Sequence, residues 1–362
     1  MNIQTQPDPF QCTYSPEVPK LLLKLNCSLV ISTYQAGKVI FLSPQNNESL
    51  IQLPRTFLKP MGIAVDHNHP SRKMAIACKD EIIVFVNSPE LGLHYPSKPN
   101  TYDAFFVPRL TYHTGDVDLH DLLWGNDKIF AVNTLFSCIA TFDDTYNFTP
   151  YWTPPFISRI VSEDRCHLNG MIMIDGKPRY ATCFSNSNTF QGWRNVVTNG
   201  GILMDIEKNE IIVDKLPMPH SPRMINGEIY MLLSATSELV KINTDKRNYE
   251  VITKLNGFVR GMAHYGDYLF IGLSKLRKSS ATFSRLEITN KLMNTGISIV
   301  HIPSGKVEGE IIYNSSVEEI YDVHVLPDIL RPNILNTIRP EYKMGLSIPG
   351  STFWSIPEKE IQ

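Results

Sequence analysis

The six cysteines (Cys12, Cys27, Cys78, Cys138, Cys166 and Cys183) include no CxxC pair, so zinc-finger and thioredoxin-type sites are excluded. No apolar run approaches the roughly 18 residues of a membrane-spanning helix. The N-terminal stretch MNIQTQPDPFQCTYSPEV has no basic segment followed by an apolar one, so no secretory leader is expected. The expected location is cytoplasmic, with the thiols reduced and buried. Net charge is only −2 and no basic stripe occurs, which argues against a nucleic-acid partner. No P-loop or G-x-G-x-x-G follows a strand pattern, so no nucleotide cofactor is indicated. No G-x-S-x-G elbow occurs, so a serine hydrolase of the α/β type is not indicated.

What the chain does contain is a repeat. Six segments share one pattern: Met61-Gly62-Ile63-Ala64-Val65, His120-Asp121-Leu122-Leu123-Trp124, Asn169-Gly170-Met171-Ile172-Met173, Pro222-Arg223-Met224-Ile225-Asn226, Arg260-Gly261-Met262-Ala263-His264 and Tyr321-Asp322-Val323-His324-Val325. Each has a variable first residue, then Gly, Asp or Arg, then an apolar-rich stretch. Starts lie about 40 to 60 residues apart, the period of propeller blades. Short apolar runs between Asp, Asn and Gly turns fill the intervals, as in meandering antiparallel sheets. The expected fold is all-β, a single β-propeller of six blades. A seventh blade would have to hide in one of the long insertions.

Three strand patterns precede the first complete repeat and none follows the last. Ile320–Leu326 is therefore expected to pair beside Leu29–Thr33 and close the ring, which removes free sheet edges. This divides the chain into an N-terminal extension over 1–26, a propeller over 27–330 and a Pro-rich tail over 331–362. Insertions over 88–116, rich in Pro, Tyr and Phe, and over 184–200 and 276–295 contain aromatic residues and are expected at the rim, where loops build binding mouths.

A propeller gathers equivalent positions around one axis. Two residues before the six starts stand Lys59, Asp118, His167, His220, Phe258 and Glu319, and His120 lies two residues beyond Asp118. Imidazole and carboxylate suit Mn, Fe, Cu or Zn, so His120, His167, His220 and Glu319 are candidate ligands of a divalent metal. Arg223 and Arg260 are candidates to hold a substrate carboxylate, and Asp118 or Asp322 to act as base. Lys38, Arg165, Arg194, Lys275 and Arg277, with Asn169, fall at strand starts or rim loops and would make a cationic, hydrogen-bonding mouth. For each residue the plainer role is a satisfied core histidine or a salt bridge between blades.

Several strings, STYQAGK (32–38), TGDVDLH (114–120), EDRCHLNG (163–170), MPHSPR (218–223) and EIYDV (319–323), resemble a bacterial family of conserved hypothetical, propeller-like proteins, some fused to tetratricopeptide repeats. The resemblance spans roughly 28–330 and implies one propeller domain. It implies no reaction. No tetratricopeptide period occurs, so a stand-alone member is expected. Three readings follow: a metal-assisted lyase, epimerase, hydrolase or oxygenase acting on an acidic small molecule or peptide; a metal-free module binding such a ligand; and a platform whose rim docks a protein.

Overall fold

Period-two apolar patterns with β-branched and aromatic residues set the strands, and the computed structural model arranges them as six radial sheets of four core strands each. It describes residues 8–69, 72–126, 128–276 and 282–355. Blade 1 consists of Asp322–Pro327, Cys27–Thr33, Lys38–Pro44 and Leu50–Thr56, from the axis outward. The innermost strands of blades 2 to 6 are Ile63–Asp66, Leu119–Gly125, Leu168–Ile174, Pro219–Ile225 and Phe258–Tyr265. Each inner strand packs against the next, and the last returns to the first, so the ring is closed.

Closure occurs where the sequence pattern places it. Leu29 pairs with Val325 and Ser32 with Asp322, antiparallel. The two ends of the ring thereby share one sheet. Clusters of fully buried side chains fill the wedges between blades, among them Phe41, Phe85 and Phe106 between blades 1 and 2. Burying such a side chain contributes about 1.5–3 kcal/mol.

The flanking segments are more ordered than their composition suggests. Cys12–Tyr14 adds a fifth strand to the outer edge of blade 6, and helix Glu17–Lys24 buries Val18 and Leu22 beside it. Pro332–Ile334 adds a parallel fifth strand to blade 2. Beyond it, hairpin Gly345–Ile348/Ser351–Trp354 is anchored by Trp354, which packs on Tyr95 and Phe105 and donates to the Leu91 carbonyl at 3.0 Å. The stretch 88–116 is likewise not only a loop. It carries helix Pro89–Leu93 and then Ala104–His113, the fourth strand of blade 2. A register shift opposite Pro108 interrupts the alternation of that strand, which disguises it in the sequence.

The second position of the six repeats explains how the inner strands lock. Around the ring it reads Gly62, Asp121, Gly170, Arg223, Gly261, Asp322: glycine alternates with a charge. Each charged side chain reaches the backbone just after the glycine of the following blade. Asp322 accepts from Ile63 N–H at 2.9 Å and Asp121 from Met171 N–H at 3.2 Å, whereas Arg223 Nε donates to the Met262 carbonyl at 3.1 Å. Anions meet N–H groups and the cation meets a carbonyl. At the three alternate junctions the glycines let their own strands come close to the blade that follows. A Cβ on Gly62 would lie 3.2 Å from the Asp121 Cα, and one on Gly261, at φ +75°, would lie 2.8 Å from the Asp322 Cα.

Candidate functional site

The segments that lead into the inner strands surround a cavity of about 520 Å³ at one end of the axis. Five blades contribute: Asp118 and His120, Asp164 and His167, Met218 and His220, Phe258 and Arg260, and Tyr34 with Glu319 and Tyr321. The rim insertions add Trp193 and Arg194 from one side and Lys275, Thr282 and Phe283 from the other. They meet where Arg194 donates to the Thr282 hydroxyl at 2.8 Å.

A chain of aromatic rings runs along the wall. Tyr34 stacks on Tyr321, Tyr321 meets His120 edge-on, and His120 meets His167 edge-on at 4.9 Å. His167 then contacts Phe184 and Trp193, and Phe184 contacts His220. Such walls suit the flat or apolar body of a small molecule.

The protonation of the three imidazoles follows from their neighbours. Thr134 Oγ1 has one proton and donates it to the Leu168 carbonyl at 2.5 Å. It must therefore accept from His120 Nδ1, 2.8 Å away, which carries the proton. Ser234 repeats the arrangement: it donates to the Val259 carbonyl at 2.5 Å and accepts from His220 Nδ1 at 2.6 Å. His167 Nδ1 faces the Asp164 carboxylate at 3.0 Å, an obligate acceptor when ionised. All three rings are thus Nδ1–H tautomers when neutral, with Nε2 as the lone-pair atom. Burial, with Arg260, His167 and His120 nearby, holds the His220 pKa well below the usual imidazole value, so this ring stays neutral.

Asp164 is itself held in place. Trp193 Nε1 donates to it at 2.8 Å, and the indole lies 4.3 Å from the His167 ring. Arg260 rests over Tyr321 with its guanidinium carbon 3.3 Å from the ring centre, and Nη1 is 3.8 Å from Glu319. Burial pushes the Tyr321 phenol well above its usual pKa against the opposing pull of Arg260, so it remains a donor.

The cavity unites eight of the residues singled out by sequence: Asp118, His120, His167, His220, Glu319, Arg260, Arg194 and Lys275. Arg223 and Asp322 lie instead in the locking layer deeper along the axis. There Arg223 is 3.4 Å from Asp121, and Asp322 is 3.2 Å from His324. Burial raises the Asp121 pKa. For Asp322 burial acts the same way, but His324, Arg223 and the Ile63 N–H outweigh it and lower the pKa. Asn169 accepts from Thr182 and does not line the cavity. Arg165 is buried behind the rim, clamped to Glu163, Ser158 and Asn188. Lys38 donates to Thr56 on its own blade. Arg277 lies outside the described residues.

One alignment needs correcting. His220 is level with His120, not with His167, because both bond a hydroxyl 14 residues downstream. A bulge between His220 and Arg223 supplies the offset. Sequence reasoning missed Asp164, Trp193, Tyr34 and Tyr321. The first stands three residues before His167 and the last opens a repeat, so both were within reach. Trp193 sits in an insertion with no periodicity to place it.

As expected, the cysteines are free thiols, and five are buried. Burial takes Cys138 up to about 12. Among the described residues, no three His, Cys, Asp or Glu side chains stand close enough to hold a metal ion, and no helix is long and apolar enough to cross a membrane.

Among solved structures, a chain in the crystal structure of a nidogen/laminin complex is similar, with a TM-score of 0.54 and 12% identity. The match covers 83% of this chain and 99% of that one, and it carries the fold alone. No curated protein matches. The model of a domain of unknown function, DUF4915, matches residues 16–335, nearly the whole propeller, and the chain belongs to that family.

Proposed function

We propose that the axial cavity is the active site of an acid–base enzyme acting on a small acidic molecule, with His167 as the proton-transfer group. The observation that carries this reading is the Trp193–Asp164–His167 assembly at the cavity wall. Asp164 fixes the ring with Nδ1 protonated and stabilises the imidazolium that forms when Nε2 takes a proton. A purely structural histidine would need no place on a cavity wall. Arg260, Arg194 and Lys275 supply positive charge for the carboxylate, and the aromatic wall packs the rest of the molecule. The first step is removal of a proton by Nε2, either from carbon beside the carboxylate, as in a lyase or epimerase, or from water, as in a hydrolase.

Incubation in deuterium oxide with a panel of 2-hydroxy, 2-amino and arylalkanoic acids tests the carbon branch without knowledge of the product. Wild type is expected to wash deuterium into at least one acid, and His167→Gln to lower the rate about 10²–10⁴-fold. Exchange that is unchanged in the variant would overturn the role of His167. Binding of an acid with neither exchange nor hydrolysis would favour a metal-free binding module.

The tautomers favour a second reading. Metal-ligating histidines anchor one ring nitrogen in the wall and coordinate through the other, and three rings here have that preparation. Their present spacing does not bring three ligands around one ion, so no step is derived through a metal. Elemental analysis of protein purified without chelator or affinity metal, beside a His167→Ala/His220→Ala variant, tests it. Near-stoichiometric Mn, Fe, Cu or Zn in the wild type only, the variant still folded, would establish the site. None after reconstitution would exclude it.

A further inference from the structure

We infer that Arg260 and Tyr321 together form the carboxylate subsite of the axial cavity, with guanidinium Nη2 and phenol Oη as paired donors to one anionic group. This deepens the acid–base reading and rests on it for the class of ligand. Both donors are buried and neither has a hydrogen-bond acceptor among the described residues. Leaving a buried donor unsatisfied costs about 1–3 kcal/mol, and more when it is charged. Here the two donors belong to side chains in contact at the cavity, where a ligand would satisfy both. An obligate acceptor answers both at once, and a carboxylate has two oxygens for two donors.

The surroundings fit that assignment. Tyr321 is only 4% exposed, yet it lines the cavity, as does Arg260. The guanidinium carbon sits 3.3 Å from the centre of the phenol ring, so movement of Arg260 toward a ligand would uncover both donors. Glu319 holds Arg260 only loosely, since 3.8 Å exceeds hydrogen-bonding distance. A ligand carboxylate at 2.7–2.9 Å, the ordinary charge-assisted length, is the better partner. His120 borders Tyr321, and His167 borders His120. An acid held on Arg260 and Tyr321 therefore extends toward the proposed base.

Calorimetry with benzoate as probe and benzamide as its neutral isostere tests the assignment. Wild type should bind benzoate at least 10-fold more tightly than benzamide. Arg260→Gln and Tyr321→Phe should each lower benzoate affinity about 10-fold and leave benzamide unchanged. Arg260→Lys should restore part of the loss, and near-ultraviolet circular dichroism should show each variant folded. If benzoate binds equally to wild type and both variants, yet weakens in folded Trp193→Ala, the cavity takes acids elsewhere: the subsite is wrong and the acid-binding cavity stands. If folded wild type binds neither probe, the subsite and the acidic-ligand reading both fall.

Discussion

Two levels of the same axis use the same side chains to opposite ends. At the deeper level, Asp121, Arg223 and Asp322 spend their hydrogen bonds on the backbone of the next blade. At the cavity level, Arg260 Nη2 and Tyr321 Oη are buried without acceptors among the described residues. Three imidazoles there are anchored to the wall through Nδ1. Charge on a propeller axis does not by itself mark a functional site. What separates the levels is satisfaction: a saturated layer fixes the ring, and an unsaturated one has capacity for a ligand.

This contrast can be broken most directly at the deeper level. Asp322→Ala leaves His324 without its buried anion and the Ile63 N–H without its acceptor, and is expected to cost about 3–5 kcal/mol in urea unfolding. Arg260→Gln should cost far less, because no good hydrogen bond is lost. Equal losses would erase the distinction. Gly261→Ala tests the alternation itself. With φ at +75° and the Asp322 backbone at 2.8 Å, the added methyl should cost about 1–3 kcal/mol. A neutral outcome would mean that the inner strands move apart freely.

A third test uses pH. The folded-state pKa of His220 is depressed, so only the unfolded chain takes up its proton as pH falls below the ordinary value near 6.5. Stability is lost from that point downward, with a slope of up to about 1.4 kcal/mol per pH unit for one proton. The groups facing His220 are Arg260, His167 and His120, and His67 and the axial aspartates also titrate. The contribution of His220 is therefore the difference between wild type and His220→Asn across pH 6.5 to 5. A difference that does not change with pH would contradict a neutral, buried ring. The smallest effect is expected at Trp193→Phe. It keeps the packing but deletes the N–H to Asp164, and it should slow proton transfer more than it lowers stability.

Much of this was legible in the chain. All six inner strands and the closing pair Leu29–Val325 follow from the repeat and from its uneven ends. The three histidines were legible as a set because they recur at blade spacing. Depth along the axis was not. Arg223 and Asp322 stand three residues beyond His220 and Glu319, and in the second case the change from cavity to lock falls between neighbours, Tyr321 and Asp322. The bulge after His220 blurred the register further. Tyr34 and Tyr321 read as ordinary strand aromatics, since only their meeting at the axis makes them a wall. The tail read as Pro-rich and without strands because its order comes from distant partners, the Ala104–Phe106 edge for Pro332–Ile334 and Tyr95 and Phe105 for Trp354.

The central claim is that three wall-anchored imidazoles present Nε2 to a cavity that takes a small acid. Long-range ¹H–¹⁵N correlation of the imidazoles, assigned with His120→Gln, His167→Gln and His220→Gln, tests it most directly. The account predicts Nδ1–H tautomers for the rings that are neutral. It predicts that benzoate, and not benzamide, shifts the His167 Nε2 resonance. Nε2–H tautomers at these positions, or resonances indifferent to both probes, would contradict it.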